Sequence, residues 1–208
     1  MAEQEKKKSM LASFPATFWV ANLMELFERG AYYGMNSVLA VYLAKVLFFR
    51  EQAVGFLQGF VYALTYILPI LGGALAERLG YRKMLLVAFS LLSVGYFAAG
   101  NFDSYGLIFV FLLVMATGSG LFKPIISGTI AKTTTTESSG FGFGLYYWSI
   151  NLGAFLAPLF ISWIKGFSWR YVFFTSAVWS FLMLIPALFF YKDPKKPEST
   201  KPLRKVMA

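Results

Sequence analysis

The sequence predicts an all-α membrane protein, a bundle of six transmembrane helices, and three observations predict it. Hydrophobic residues make up 58% of the 208 residues and charged residues 14%, with a mean hydropathy of +0.61. That is more apolar side chain than a water-soluble chain of this length can bury. The apolar residues fall in long, nearly continuous runs rather than short alternating strands, and about 20 such residues in a helix cross a hydrocarbon layer of about 30 Å. Lys and Arg collect on alternate loops between the runs.

The first run, 15–43, follows Lys6, Lys7 and Lys8. It is too long for a signal-peptide core and lacks a small-residue cleavage site, so it is expected to be retained. The second, 53–76, leads into Arg78, Arg82 and Lys83, and the third, 84–101, is bounded by Asn101. The fourth, 105–131, stops at Lys132, after which the Thr/Ser-rich stretch 132–140 reads as a crossover. The fifth is 141–164. The sixth, 170–191, precedes Lys192, Lys195, Lys196, Lys201, Arg204 and Lys205, interspersed with Pro194, Pro197 and Pro202, a linker composition.

The opposite loops hold only Lys45, Arg50, Lys165 and Arg170. The positive-inside rule then sets both termini in the cytoplasm of a multi-pass cell (inner or plasma) membrane protein. The chain divides into a cytoplasmic leader 1–13, a bundle 14–191 and a basic tail 192–208. This distribution accounts for the net charge of +9 without a nucleic-acid partner; the lipid bilayer is the expected one.

Cys and His are both absent, which excludes a disulfide framework, a thiolate nucleophile and a soft-metal site. No Gly-rich nucleotide loop occurs, so ATP has no evident site and no cofactor is implied. An intramembrane enzyme lacks machinery, since the one carboxylate pair, Glu25 and Glu28, stands beside cations.

Four ionisable residues fall inside the runs: Glu25, Glu28 and Arg29 in the first and Lys123 in the fourth. Each costs about 2.5–3.5 kcal/mol at membrane depth, so such groups face a bundle interior and mark pathways. Glu25, Glu28 and Arg29 stand at i, i+3 and i+4 and share one helix face, which Tyr32 and Asn36 extend, with Tyr33 beside it. Counted from the cytoplasmic ends, Glu25 lies roughly 15 Å deep and Lys123 roughly 12 Å deep, so all four are expected at one level. Protonating either Glu unbalances the cluster and frees a cation, which is a coupling device.

Helices 1 and 4 are the first members of two three-helix units of opposite direction, the arrangement of an inverted 3+3 repeat. Gly30 and Gly34 are expected to loosen helix 1, and Gly118, Gly120 and Pro124 helix 4. Glycine- or proline-interrupted helices in corresponding positions point to a transporter's binding site.

Glu25, Glu28, Arg29, Tyr32, Tyr33 and Gly34, spaced as ExxER and YYG, resemble the helix 1 motif of the proton-dependent oligopeptide transporters, a family of the major facilitator superfamily. Gly120, Lys123 and Pro124 resemble that family's helix 4 motif, and Ile150, Asn151, Gly153 and Pro158 its helix 5 motif. The stretch from Gly73 through Glu77, Arg78, Gly80, Tyr81, Arg82 and Lys83 looks like the general superfamily loop motif, with Glu77 for an Asp and Tyr81 for an Arg.

The resemblance implies the amino-terminal half of a proton-coupled symporter of small peptides. Glu25, Glu28, Arg29 and Lys123 would couple proton binding to substrate binding, with the proton as coupling ion. Tyr32, Tyr33 and Asn151 would contact the peptide through neutral hydrogen bonds, and Tyr66 in helix 2 is a weaker substrate candidate. For Asn151 a helix-packing hydrogen bond is the competing role.

Three positions depart from the family pattern. Asn36 stands where many members carry an Arg that clamps a peptide carboxylate, Ile125 stands where they have Asn, and 132–140 lacks an Arg-Asp pattern. These bear on the substrate rather than the class. The alternatives are a facilitator of another small polar solute, such as a sugar or nucleoside, and a membrane scaffold formed by a half. Either a missing carboxy-terminal half or a second copy in a parallel homodimer is the expected protein partner.

Overall fold

The computed structural model describes residues 11–194. The predicted leader before Leu11 and the tail beyond Pro194 lie outside the described residues. Seven helices follow the opening turn: α1 Ala16–Val41, which ends in a π-helical turn Tyr42–Val46, α2 Glu51–Leu79, α3 Tyr81–Ala99, α4 Tyr105–Thr133, α5 Ser139–Ile164, α6 Trp169–Leu182 and α7 Leu184–Phe189. No strand occurs among the described residues.

Length and composition qualify α2, α3, α4, α5 and the α6/α7 stretch Trp169–Phe189 as membrane spans, five in all among the described residues. The 26-residue α1 falls outside that set because Glu25, Glu28 and Arg29 occupy its middle. It is long enough to cross, and burial against its neighbours rather than apolarity shelters those charges. The sixth run, expected to be continuous, breaks at Met183. Pro186 is the cause: it offers no N–H to the Leu182 carbonyl and its ring crowds that oxygen.

Short connections force consecutive helices to run antiparallel. The tightest is Gly80 alone between α2 and α3, at φ +96°, a conformation that a side chain disfavours. One end of the bundle therefore collects the start of α1, the α2–α3 turn, the α4–α5 loop and the end of α7, and with them Arg78, Arg82, Lys83, Lys132 and Lys192. We call this the basic end.

The packing carries an internal symmetry. α1 lies on α5 and α6, while α4 lies on α2 and α3; α1 also meets α4, and α3 meets α6. Exchanging helices 1, 2 and 3 with 4, 5 and 6 maps this set of pairings onto itself, as an inverted 3+3 repeat requires.

The shared core is apolar, with Phe18 and Met24 of α1, Phe89 and Leu92 of α3, Phe122 and Ile126 of α4 and Phe173 of α6 fully buried. Ile70 on α2, Phe155 and Trp163 on α5 and Phe189 on α7 point outward, as in a protein whose surface meets lipid or a second bundle.

The glycines of α1 and α4 do not loosen them. Both helices run unbroken through Gly30, Gly34, Gly118 and Gly120. The missing side chains serve packing instead: a Cβ at Gly34 would meet Ile161 of α5 at 2.7 Å, and one at Gly120 would meet Leu68 of α2 at 2.5 Å.

The basic end is tied together by polar contacts. Arg82 donates from Nε to the Ala187 carbonyl at 3.2 Å and from Nη2 to that of Leu188, capping α7, while its backbone N–H donates to Asp193 Oδ1 at 2.6 Å, which caps α3 in return. Glu77, near the end of α2, pairs with Lys132 near the end of α4.

Candidate functional site

The charged face of α1 is closed off by its neighbours. Glu25, Glu28 and Arg29 are exposed by only 1%, 0% and 4%, a depth at which an ion without a partner is strongly disfavoured. Arg29 satisfies both acids. Its Nε lies 3.3 Å from Glu25 Oε1, one turn back, and its Nη2 contacts Glu28 Oε2. Glu28 turns its other oxygen to α4, where the buried Ser119 hydroxyl donates to Oε1 at 3.0 Å. One arginine thus holds two carboxylates, and one of those carboxylates joins α1 to α4.

Helix packing sets this geometry. A Cβ at Gly153 of α5 would meet the Leu26 carbonyl at 2.8 Å and Arg29 Cβ at 3.1 Å. The bare backbone of α5 is therefore what lets it close over α1 at Arg29.

The aromatic residues of α1 line the approach to the guanidinium. Arg29 Cζ lies 5.4 Å from the Tyr32 ring centre and 5.9 Å from that of Tyr33, and the two rings meet edge to face. Tyr32 is buried and Tyr33 half-buried. Farther along, Asn36 Nδ2 donates to the Tyr62 hydroxyl of α2 at 2.5 Å. Its polar group is engaged by a neighbouring helix.

Lys123 lies within electrostatic reach of the cluster but not in contact with it. It is half-buried on α4, one turn from Ser119, but makes no ion pair with Glu25 or Glu28 among the described residues. Its Nζ sits 5.1 Å from the centre of the Tyr66 ring instead. The four methylenes of the side chain allow either arrangement, and Tyr66, 75% exposed on α2, offers a π face. Asn151 is exposed on α5 and makes no side-chain hydrogen bond among the described residues, so the competing packing role has no partner there.

Four residues near the cluster are not signalled by motif spacing. Ser119 sits between Gly118 and Gly120 and reads as a small packing residue. Tyr62 is the easier one, standing four residues before Tyr66 on the same face of α2. Tyr146 of α5 and Tyr96 of α3 are buried and lie within electrostatic reach of Glu28 and Arg29. Tyrosines in apolar runs, Tyr96 alone and Tyr146 beside Tyr147, carry no sequence signal to separate them from packing residues.

The bundle with its pseudo-symmetric pairings also has relatives. The family described as the Major Facilitator Superfamily matches residues 18–207. The chain belongs to that superfamily. It is 33% identical over 183 residues to a dipeptide and tripeptide permease A of Proteus mirabilis, covering 85% of this chain and 37% of the relative. To the protein of that name from Serratia proteamaculans it is 31% identical over 199 residues, covering 91% and 39%.

Among solved structures, one described under substrate recognition in proton dependent oligopeptide transporters superposes with TM-score 0.80 at 25% identity, over 92% of this chain and 45% of that one. A peptide transporter in complex with sulfate gives TM-score 0.80 at 26% identity, over 97% and 46%. The resemblance to the proton-dependent oligopeptide transporters read from α1, α4 and α5 stands. The chain spans less than half the length of these relatives.

Proposed function

We propose that this chain forms the amino-terminal six-helix half of a proton-coupled symporter of small peptides. The observation that carries the reading is the buried Glu25–Arg29–Glu28 group at the middle of α1. In a superfamily bundle whose relatives bear permease names, an ion cluster sealed at bilayer depth is a pathway feature.

The mechanism follows from the pairing. In the resting arrangement Arg29 is held by both acids. A proton on Glu28 removes one of the two attractions, and Arg29 becomes available to an anionic group such as a peptide carboxylate. Loss of the proton draws Arg29 back to Glu28 and weakens that grip, so proton and substrate stabilise each other's binding. Tyr32 and Tyr33 border the guanidinium and supply neutral hydrogen bonds, and Lys123 over Tyr66 supplies a second cation. Asn151 is placed in contact with substrate because its amide is unspent.

Both termini face the cytoplasm in this reading, with the basic end inside. The substrate path lies between this bundle and a second one, either a carboxy-terminal half or another copy in parallel orientation. The carboxylate clamp that an arginine at position 36 would make is absent, and Asn36 is bonded to Tyr62. Arg29 and Lys123 are therefore the cations left on this half for a carboxylate.

Uptake of a labelled dipeptide by the complete transporter, with and without a protonophore, tests the reading. Accumulation that collapses on adding the protonophore supports it. Accumulation that persists would assign the bundle to transport driven by another gradient, and uptake that only equilibrates, with or without the protonophore, would assign it to a facilitator.

A further inference from the structure

Five buried side-chain atoms among the described residues lack a hydrogen bond: Glu25 Oε2, Glu28 Oε2, Arg29 Nε, Arg29 Nη2 and the Tyr96 hydroxyl. Glu28 Oε2, Arg29 Nε and Arg29 Nη2 are in close charge contact within the ion-paired trio, and Glu25 Oε2 belongs to a carboxylate whose other oxygen is paired. The fifth belongs to no pair.

Tyr96 is 0% exposed on α3, and a phenol buried without a partner is disfavoured where a phenylalanine of the same shape is not. Its position is fixed by the residue before it. At Gly95, α3 approaches α4 so closely that a Cβ would meet the Met115 backbone N at 2.8 Å. Met115 and Ser119 stand one turn apart on α4, and Ser119 holds Glu28. The phenol is within electrostatic reach of Glu28, Arg29 and Tyr32. The one unpartnered hydroxyl in this set thus sits on the helix packed against α4, whose Ser119 holds the acid that is proposed to change state.

We propose that Tyr96 is a positioning residue for coupling, whose hydroxyl Glu28 takes as its partner when the ion pair with Arg29 opens. The inference rests on the coupling role proposed above for that pair. While the pair is closed, Glu28 Oε1 accepts from Ser119 and Oε2 contacts Arg29, and the phenol is bonded to neither oxygen. A proton bound at Oε2 turns that oxygen into a donor, and the Tyr96 oxygen accepts from it. No covalent bond other than the new O–H forms, and the proton stays on Glu28 until Arg29 returns.

The groups that face Glu28 are Glu25, Arg29 and Tyr32 on its own helix, Ser119 and Lys123 on α4, Tyr96 on α3 and Tyr146 on α5. A neutral hydroxyl holds the acid in place without adding a charge.

Infrared difference spectra of this chain in phosphatidylcholine vesicles, stepped from neutral to acid pH, provide the test. The wild type should gain a protonated-carboxyl band together with a shift of a tyrosine C–O band. Tyr96→Phe should lose the tyrosine shift and move the carboxyl band to the position of an acid with one fewer hydrogen bond. Tyr96→Phe should also melt at the same or a higher temperature, because the resting hydroxyl has no partner to lose.

In the complete transporter, Tyr96→Phe should lower proton-driven accumulation about tenfold, the worth of one buried hydrogen bond, while counterflow exchange is kept. Unchanged spectra in Tyr96→Phe, or a lowered melting temperature, would overturn the role. Glu28→Gln separates the two levels. If it keeps the wild-type carboxyl band, the acid that titrates is not Glu28, and the coupling reading falls together with the inference.

Discussion

Among the described residues an acid, a base and a tyrosine come together at the middle of the bundle and again at its basic end. At the end, Tyr81 donates to Glu77 Oε1 at 2.5 Å, and Lys132 donates to the Tyr81 hydroxyl at 2.9 Å while pairing with Glu77. The Lys132 and Glu77 side chains are 18% and 44% exposed, against 5%, 1% and 0% for Arg29, Glu25 and Glu28. Water and salt solvate either ion of the outer pair when the contact breaks, so such a pair adds little, about 0–1 kcal/mol. The inner ions have no such alternative. In the proposed coupling, a change in the protonation of one acid changes which partner Arg29 takes. Composition alone would rank the two groups as equals; depth separates a surface tie from a buried ion group.

Substitutions at the two groups should differ accordingly. Arg29→Met leaves two buried carboxylates without a cation in contact and should destabilise the bundle by about 3–5 kcal/mol, read from unfolding in detergent. A loss no larger than that of a surface pair would mean that water reaches the middle of α1. Gly153→Ala comes next. Its Cβ would press on the Leu26 carbonyl, and the overpacking should cost about 1–3 kcal/mol while displacing Arg29, so transport should fall more than stability. Lys132→Met removes the outer pair and should shift unfolding by less than about 1 kcal/mol, with transport kept; an effect as large as that of Arg29→Met would erase the distinction between the two groups.

A fourth substitution bears on the substrate rather than the fold. Asn36→Arg, in the complete transporter, should raise affinity for a free dipeptide more than for its carboxy-terminal amide, because a guanidinium grips a carboxylate with two charge-assisted bonds. Competition assays with paired acid and amide ligands read the difference. Equal losses for both would show that breaking the Asn36–Tyr62 bond only disturbs packing.

The inner group is legible in the sequence as a helix face because i, i+3, i+4 spacing puts Glu25, Glu28 and Arg29 together whatever surrounds them. Counting depth also brings α1 and α4 to one level, and the structure joins them there, through Ser119 rather than Lys123. A long flexible side chain at the right depth does not reveal which of two neighbours it meets, and a serine between glycines does not announce a carboxylate partner. Pro186 marks the break in the last helix, but its effect three residues upstream is hidden in an unbroken apolar run. Gly30, Gly34, Gly118 and Gly120 look like weak points in a helix, yet the absence of a Cβ there serves close packing. Tyr96 is illegible for a different reason: its unpartnered hydroxyl is visible only once the burial of every neighbour is known.

At the centre of the proposed coupling lies the opening of the Glu28–Arg29 pair on protonation, which would link proton to substrate. Glu28→Gln tests it most directly, since the amide keeps size and polarity but cannot exchange a proton. Proton-driven accumulation of a dipeptide and counterflow exchange should be measured side by side in proteoliposomes of the complete transporter. Accumulation should be abolished while counterflow remains. Full accumulation by Glu28→Gln would contradict the switch.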